Sequence, residues 1–374
     1  MDFKFPTKTE EIYGSFAPGT KTLELHSQTM TFRPSWKDET GRLYIIFSTE
    51  CNLRCIYCFQ NGMRRSNGDL AIDQLQTYIG ELQNEIQEIV LFGGEPLLHS
   101  NIDVIASVLE QFDYLRFIIF TNGNFDREYL DLIDLYSYTI AGITISLDGP
   151  REIHNRRRVN PRQDSYAAIM ENLLALAKLG VNTTVSINVD RSNAEAIHRL
   201  FDDILKFESL YNMNYILNPV KYIQNAITYQ DLFDLYFLLK SRYPLKIFLN
   251  NRLIDNLSSL FANKPLSRSR CNLAKTLVLN IPEGSIFACP QNADTKIGSI
   301  TPQGITVNRA PIDHYLSLTR YSNAKCGACD LNYICPFGCP FIETESDCRH
   351  TVELLLQKAL DHFELLVDVK ELGV

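Results

Sequence analysis

The sequence of 374 residues contains no hydrophobic run that approaches the ~20 residues needed to cross a bilayer. Its first residues are mixed and acidic, so neither the basic nor the apolar part of a secretion signal is visible. The formal net charge of −8 disfavours nucleic acid as a partner, because binding phosphates requires a basic surface. These absences predict a cytoplasmic protein with neither a membrane nor a nucleic acid as partner.

Cysteine is present in unusual amount and arrangement. The chain has ten cysteines, most of them in clusters separated by two to five residues. In the cytosol glutathione keeps thiols reduced, and a chain of this length buries an ample core without disulfides. The clustered thiols therefore favour metal binding over disulfide bridges.

Six short runs rich in Ile, Val and Phe alternate with amphipathic helical patterns. The runs occupy residues 42–48, 88–94, 115–121, 142–148, 183–190 and 213–219. Near-continuous apolar strands that alternate with helices are typical of a parallel sheet built from βα units. Six strands fit an open or partial barrel better than the eight-stranded closed form.

The composition divides the chain into five segments. They are an N-terminal extension (1–41) with one plausible strand, a partial barrel (42–218), a helical bridge (219–265), a cysteine-rich module (266–350) and a C-terminal helix (351–374). In parallel β/α architectures the chemistry lies at the carboxyl ends of the strands. The loop after the first strand is therefore the first place to look for a site.

That loop holds Cys51, Cys55 and Cys58 in a C-x3-C-x2-C spacing. Three thiolates can hold three corners of an iron–sulfur cube and leave the fourth iron open to a small molecule. A zinc loop short of one ligand and three incidental buried thiols are the alternatives. The next strand ends in Gly93–Pro96, GGEP, where two glycines let the backbone approach a ligand closely, unless the segment is a simple turn.

The three cysteines, with Tyr57 directly before the third and GGEP after the following strand, resemble the signature of the radical S-adenosylmethionine (SAM) enzymes. The resemblance implies an α/β fold, a partial (β/α)6 barrel, in which a [4Fe–4S] cluster binds SAM. An electron from the reduced cluster would cleave SAM to methionine and a 5′-deoxyadenosyl radical that abstracts hydrogen from a substrate. Gly93, Gly94, Glu95 and Pro96 would lie along the methionine end, with Glu95 receiving its ammonium.

Later strand ends also resemble segments that line the SAM pocket of this family. The implied contacts are Thr121, Asn122, Ser146, Asp148, Arg158 and Asn188. A guanidinium suits the SAM carboxylate through bidentate pairing, although Arg156 and Arg157 compete with Arg158 for that role and a basic loop is usually solvated. Asp148 could instead form an Asx turn, and Asn188 could cap the next helix.

The remaining seven cysteines resemble the SPASM extension, which holds auxiliary [4Fe–4S] clusters in some radical SAM enzymes. A pair of zinc ribbons would need two C-x2-C pairs, and the sequence after residue 270 supplies one. By position, the first auxiliary cluster would be held by Cys271, Cys289 and Cys339. The second would be held by Cys326, Cys329, Cys335 and Cys348.

Three such clusters need eleven thiolates if SAM occupies one iron, and the chain has ten. The first auxiliary cluster therefore takes a ligand other than cysteine, leaves an iron open to substrate, or is smaller. Sulfatase-maturing relatives carry an additional cysteine that residues 263–270 lack. This gap weakens the case for sulfatase maturation.

The resemblance implies a substrate that is a ribosomally synthesised precursor peptide. The expected reaction is formation of a thioether or carbon–carbon cross-link, with peptide epimerisation and formylglycine formation as alternatives. A non-catalytic iron–sulfur electron carrier is the alternative from another class. Expected partners are a reductase or a flavodoxin- or ferredoxin-type electron donor and, because the N-terminal extension is short, a separate leader-recognition protein.

Overall fold

The computed structural model describes most of the predicted barrel and parts of the cysteine-rich region. The described residues are 21–25, 28–32, 40–60, 72–82, 85–220, 224–261, 264–266, 275–292, 295–301, 304–308 and 348–366, together with Ala310, Cys329, Leu331 and Cys335.

Strands and helices alternate between residues 72 and 261. The strands are β1 (Lys21–Leu25), β2 (Gln28–Phe32), β3 (Arg42–Ile46), β4 (Arg54–Cys55), β5 (Glu88–Phe92), β6 (Arg116–Thr121), β7 (Ile140–Ser146), β8 (Arg158–Val159), β9 (Thr183–Val189), β10 (Asn214–Pro219), β11 (Lys246–Leu249), β12 (Thr276–Asn280), β13 (Ser285–Phe287), β14 (Lys296–Thr301) and β15 (Gly304–Val307). The helices are α1 (Ile72–Leu82), α2 (Ile102–Gln111), α3 (Glu128–Leu135), α4 (Arg151–Arg157), α5 (Ser165–Leu179), α6 (Ile197–Ile204), α7 (Tyr229–Arg242), α8 (Arg252–Phe261), α9 (Cys348–Asp361) and α10 (Phe363–Leu366).

All six predicted barrel strands are present and form one sheet. They lie in the order β10-β9-β7-β6-β5-β3, and each pairs in parallel with its neighbour. The sheet does not close on itself within the described residues, because β11 continues it beyond β10 and β12 continues it beyond β3. The prediction of an α/β fold with a parallel sheet is confirmed.

The two ends of this sheet differ from the sequence prediction. The segment predicted as a helical bridge contains α7 and α8 but also β11, which pairs in parallel with β10. The cysteine-rich region begins with β12, which pairs in parallel with β3 before β13, β14 and β15 continue as antiparallel strands. The single strand predicted in the N-terminal extension is a two-stranded hairpin, β1 and β2.

The described helices pack against one face of the parallel sheet, and the opposite face carries a smaller buried cluster of Ile46, Val278 and Phe287. Leu43, Ile45 and Leu91 are fully buried on the helix-covered face, where each contributes roughly 1.5–3 kcal/mol through burial. On the opposite face, which we call the open face, Tyr44 and Phe120 pack edge-on against the ring of Phe92. Because successive side chains of a strand point to opposite faces of the sheet, each strand contributes residues to both faces.

Capping residues fix where the longer helices begin. The Asp164 carboxylate accepts a hydrogen bond from the amide of Ala167 at the start of α5, and the Thr228 hydroxyl accepts one from Asp231 at the start of α7. Helix α5 ends at Gly180, whose φ of 71° is a left-handed conformation that glycine adopts without strain. No helix in the described part of the chain is long and apolar enough to cross a membrane.

Candidate functional site: a cysteine loop between two buried carboxylates

The three-cysteine loop leaves the carboxyl end of β3 and is tied to the segment that follows α4. Within it, the two-residue strand β4 pairs with β8, so that Cys55 lies opposite Arg158. The amide of Ile56 also donates to the carbonyl of Arg157 at 3.0 Å. Cys51, Cys55 and Cys58 are all half-buried and form no disulfide. These contacts fix the position of the cysteine loop relative to Arg157 and Arg158.

The GGEP segment contacts the backbone that leads into this loop. The amide of Gly94 donates to the carbonyl of Ser48 at 3.1 Å. A Cβ atom at Gly93 would lie 2.6 Å from the Ser48 carbonyl oxygen, and one at Gly94 would lie 2.1 Å from that of Glu50. The two glycines are required because the chain approaches itself here. Pro96, also predicted as a SAM contact, is buried, and its carbonyl accepts a hydrogen bond from Asn101.

Glu95 is completely buried and connects GGEP to the end of β6. Its Oε1 accepts hydrogen bonds from the Leu97 amide (2.9 Å) and the Thr121 hydroxyl (2.6 Å), and its Oε2 accepts one from the Asn122 amide (2.7 Å). Burial raises the pKa of Glu95 to about 7, although the three hydrogen bonds act in the opposite direction. A carboxylate has about four acceptor positions, so one remains for a further donor such as an ammonium group.

Asn122 links this carboxylate to the cysteine loop. Its side-chain amide donates to the Asn52 side-chain oxygen at 2.7 Å and lies 3.6 Å from the sulfur of Cys51. Thr121 and Asn122 were predicted as SAM contacts; the structure places Thr121 against Glu95 and Asn122 between Glu95 and the loop.

A second buried carboxylate, Asp148, lies on the other side of the loop. The Tyr57 hydroxyl donates to its Oδ2, and the backbone and side-chain amides of Asn188 donate to its Oδ1 at 3.1 and 3.2 Å. Arg158 donates to the Tyr57 oxygen at 2.7 Å. Three predicted SAM contacts, Asp148, Arg158 and Asn188, thus meet at Tyr57. Ser146 lies at the end of β7 beside Ser186 of β9, on the open face.

The sequence did not predict the role of Arg157. This side chain is 3% exposed and forms an ion pair with Asp190 at 2.7 Å and a longer one with Asp148 at 3.5 Å. Its guanidinium carbon lies 4.9 Å from the centre of the Tyr57 ring. The signal was present in the run of three arginines, but spacing does not tell which of them is buried.

Cysteine is a residue type that binds metals, but the surroundings of Cys51 and Cys55 do not favour the ionised thiolate before a metal binds. Burial, together with the nearby carboxylate of Glu95, raises the pKa of Cys51 to about 12, and burial also raises the pKa of Cys55. Such thiols lose their protons only when a metal supplies the compensating positive charge. No three metal-binding side chains in the described ranges converge on a single ion. A cube instead offers each thiolate a separate iron.

A buried polar atom near the loop also fits an anionic ligand. The Nε atom of Arg158 is buried and has no hydrogen-bond partner among the described residues. An arginine fork with one unused donor matches a carboxylate, such as the one that SAM carries. The residues present therefore fit both the cluster and the charged ends of SAM.

A cavity of about 620 Å³ lies on a different side of the loop. It is bounded by Cys51 and its neighbours and by residues 97–100, 124–126 and 160–163. None of the ten predicted SAM-contact residues is among the described residues that line it. The cavity is thus separate from the group of Asp148, Arg158 and Asn188 around Tyr57, although both border the cysteine loop.

The later cysteines are described only in part. Cys289 follows β13 and its amide donates to the Thr295 hydroxyl at 3.1 Å, while Cys329 and Cys335 are half-buried against the core. Cys348 is the first residue of α9. Cys271, Cys326 and Cys339 lie outside the described residues. The assignment of these seven cysteines to two clusters stays a prediction.

Comparison with known proteins agrees with this geometry. Residues 45–204 match the family model of the radical SAM superfamily. The cysteine-type anaerobic sulfatase-maturating enzyme of Clostridium novyi (strain NT) is 25% identical over 331 residues, which are 78% of this chain and 85% of that enzyme. Residues 45–204 therefore form a radical SAM domain, as the sequence predicted.

Two solved structures share the fold over most of the chain. The structure of native anSMEcpe with bound AdoMet and Kp18Cys peptide has a TM-score of 0.67 at 18% identity, covering 89% of this chain and 99% of that one. Streptococcus suis SuiB bound to its precursor peptide SuiA has a TM-score of 0.58 at 16% identity, covering 83% of this chain and 76% of that one. At these identities the likeness shows the fold.

Proposed function

We propose that this chain is a radical SAM enzyme that modifies a ribosomally synthesised peptide, forming a thioether or carbon–carbon cross-link. The observation that carries the proposal is the junction at Tyr57, where the cysteine loop meets Asp148, Asn188 and Arg158. A cofactor bound there would contact both the loop and the ends of β7 and β9. Two structures of the same fold contain bound peptides, which supports a peptide substrate.

Charged groups at the two sides of the loop suit the two charged groups of the SAM methionine end. Glu95 would receive the ammonium through its remaining acceptor position, and Arg158 would bind the carboxylate through its unused Nε donor. Cys51, Cys55 and Cys58 would hold the cluster. Bound together, the cluster and SAM would supply a 5′-deoxyadenosyl radical that takes a hydrogen atom from the substrate.

The open face beyond the SAM contacts supports a neutral, polar substrate. The side chains that β7, β9 and β10 present there are Thr144, Ser146, Thr184, Ser186, Asn188, Asn214, Ile216 and Asn218. Asn250 donates to Asn218 at 2.6 Å, and Asn218 donates to Ser186 at 2.7 Å. Side-chain amides offer both a donor and an acceptor, as a peptide group does. This row suits a peptide backbone.

The missing fourth thiolate at the first auxiliary cluster supports thioether formation. If Cys271, Cys289 and Cys339 share one cluster, its fourth iron is left to an oxygen or nitrogen ligand or to a thiol of the substrate. Metal charge deprotonates a coordinating thiol, which would prepare a substrate cysteine for sulfur–carbon bond formation. A protein side chain bonded to that iron, with no path for substrate, would limit this cluster to electron transfer.

Formylglycine formation is the second candidate, because the Clostridium novyi relative carries that enzyme's name and covers 78% of this chain. The two reactions, and epimerisation, have different mass signatures. A cross-link removes two hydrogen atoms from the peptide, formylglycine formation replaces the cysteine sulfur by oxygen and also removes two hydrogen atoms, and epimerisation leaves the mass unchanged.

The test uses anaerobically reconstituted full-length chain with SAM, dithionite and the short peptides encoded beside its gene. We expect 5′-deoxyadenosine in the mixture and a peptide that has lost two hydrogen atoms, measured by chromatography and mass spectrometry. Peptide with oxygen in place of sulfur and two hydrogen atoms fewer would assign the second candidate. A chain that binds iron but forms no 5′-deoxyadenosine would fit an electron carrier and contradict the proposal.

A further inference from the structure

Three consecutive arginines after the SLDG strand end have three different environments. Arg156 is exposed, and its Nε atom donates to the Glu152 carbonyl of the same helix, α4. Arg158 is buried beside Tyr57 and keeps an unused Nε donor. Arg157 lies between them in sequence and is buried against Asp148 and Asp190, at the ends of β7 and β9.

The guanidinium of Arg157 is fixed to the sheet. Its Nη1 donates to Asp190 at 2.7 Å and to the Ser192 hydroxyl at 2.5 Å, and its Nη2 donates to the Asn188 carbonyl at 3.1 Å. Asp190 is itself held, because its Oδ1 accepts hydrogen bonds from the amide and hydroxyl of Ser192. The position of Arg157 is thus determined by strand ends that do not belong to the cysteine loop.

The same residue contacts the cysteine loop in two ways. Its flat guanidinium lies over the Tyr57 ring at 4.9 Å, and its carbonyl accepts the amide hydrogen of Ile56. Ile56 and Tyr57 are the two residues between Cys55 and Cys58. The loop between these two thiols therefore packs on a side chain that the sheet holds in place.

We infer that Arg157 is a positioning residue, which sets the place of Tyr57 and with it the approach of the cysteine loop to the SAM contacts Asp148 and Arg158. The inference rests on the proposed function only in taking the loop as the cluster and SAM site. Lysine cannot replace arginine in this role, because an ammonium has no flat face and no fixed fork of donors. A purely charge-balancing role would tolerate lysine.

The experiment compares Arg157→Lys with Arg156→Lys, which makes the same change one residue away on an exposed side chain. Both variants are reconstituted anaerobically as full-length chains, and SAM affinity is measured by titration. Electron paramagnetic resonance of the reduced protein follows the change that SAM causes. We expect Arg157→Lys to weaken SAM binding about tenfold, the effect of one misplaced charge-assisted contact, and Arg156→Lys to match the parent chain.

A double-mutant cycle separates positioning from general destabilisation. Tyr57→Leu removes the ring on which Arg157 packs, so the combination of Arg157→Lys and Tyr57→Leu should weaken SAM binding no more than the stronger single change does. Thermal unfolding of each chain without iron is the control for folding. Additive effects of the two changes on SAM affinity, or a loss of affinity that follows the loss of melting temperature, would overturn the inference.

Failure of the proposed function gives a different result. In that case the parent chain itself would show no SAM-dependent change in its resonance spectrum, and the variants would not differ from it. A parent chain that binds SAM, with an Arg157→Lys variant of equal affinity, would contradict the role of Arg157 alone.

Discussion

Glu95 and Asp148 are both completely buried carboxylates, and they flank the same cysteine loop with different partners. Glu95 accepts hydrogen bonds from neutral groups only, and burial raises its pKa to about 7. Asp148 faces Arg157 at 3.5 Å, so the chain itself supplies its cation. A buried carboxylate without a cation is costly unless a ligand brings one. The comparison thus supports Glu95, rather than Asp148, as the proposed acceptor of a positive ligand.

The largest effect is expected from removing the thiols of the cysteine loop, which lies between Glu95 and Asp148. Replacing Cys51, Cys55 and Cys58 together by Ala removes the ligands of one cube, so we expect about four irons fewer from a parent content of about twelve. Formation of 5′-deoxyadenosine should be abolished. Iron and zinc analysis checks this. An unchanged iron content, or stoichiometric zinc in the parent chain, would contradict a radical SAM cluster at this loop.

Asp148→Asn tests the buried carboxylate that is paired with a cation of the chain itself, Arg157. The change keeps the shape but removes a charge paired with Arg157 and an acceptor for Tyr57, so we expect the free energy of unfolding to fall by about 2–3 kcal/mol. Denaturant unfolding of the chain without iron measures it. The matched change Glu95→Gln removes no ion pair and should cost clearly less at pH 8. Equal costs would show that the two carboxylates do not differ in this way.

Glu95→Gln tests the role of Glu95 through the pH dependence of SAM binding. Since the pKa of Glu95 is raised to about 7, its carboxyl is protonated below that pH and ionised above it. An ammonium prefers the ionised form, so SAM affinity should rise as the pH increases from 6 to 8, by about tenfold at most. The rise should be absent in Glu95→Gln with the cluster intact. A pH profile shared by both proteins would assign Glu95 to the turn alone.

The raised pKa also has a consequence for stability. Because the folded-state pKa lies above the unfolded value, the contribution of Glu95 to stability is present in acid and is lost as the pH rises toward 7. The Glu95→Gln chain should therefore lose less stability than the parent over this interval. Unfolding without iron at pH 5 and pH 8 provides the measurement, and equal losses in both chains would contradict the assigned pKa.

Asp164, unlike Glu95 and Asp148, is a partly exposed carboxylate at the amino end of α5. Replacing it is expected to have the smallest effect. Asp164→Ala removes the helix cap and should cost about 1 kcal/mol of stability. SAM affinity should stay at the parent value, because this residue contacts neither Tyr57 nor Glu95. A matching loss of SAM affinity would mean that general destabilisation, not the contacts at the loop, governs binding.

The sequence predicted what short-range patterns encode. Cys51, Cys55, Cys58 and GGEP are local motifs, and the six barrel strands are continuous apolar runs between amphipathic helices. Strand β11 was missed because its four residues, KIFL, are too short to stand out from the helical pattern around them. The partnership of β12 with β3 joins segments far apart in the chain, and no local pattern reports such a pairing.

The same limit applies within the site. The resemblance predicted that Asp148 and Arg158 line one pocket, but not that Tyr57 donates to Asp148 across 91 positions of sequence. It also left open which arginine binds the ligand. Ion pairing favours Arg158, because Arg157 is already paired with Asp190 while Arg158 bonds to the neutral hydroxyl of Tyr57. Long-range contacts of this kind become visible only in the folded chain.

The central claim is that SAM binds at the cysteine loop between Glu95 and Arg158. Electron paramagnetic resonance of the reduced, reconstituted chain before and after addition of SAM tests it most directly, with Arg158→Met beside the parent. We expect a spectrum that changes on addition of SAM to the parent and a change that is lost or needs far more SAM in Arg158→Met. A parent spectrum that does not respond to SAM, or an identical response in both proteins, would contradict it.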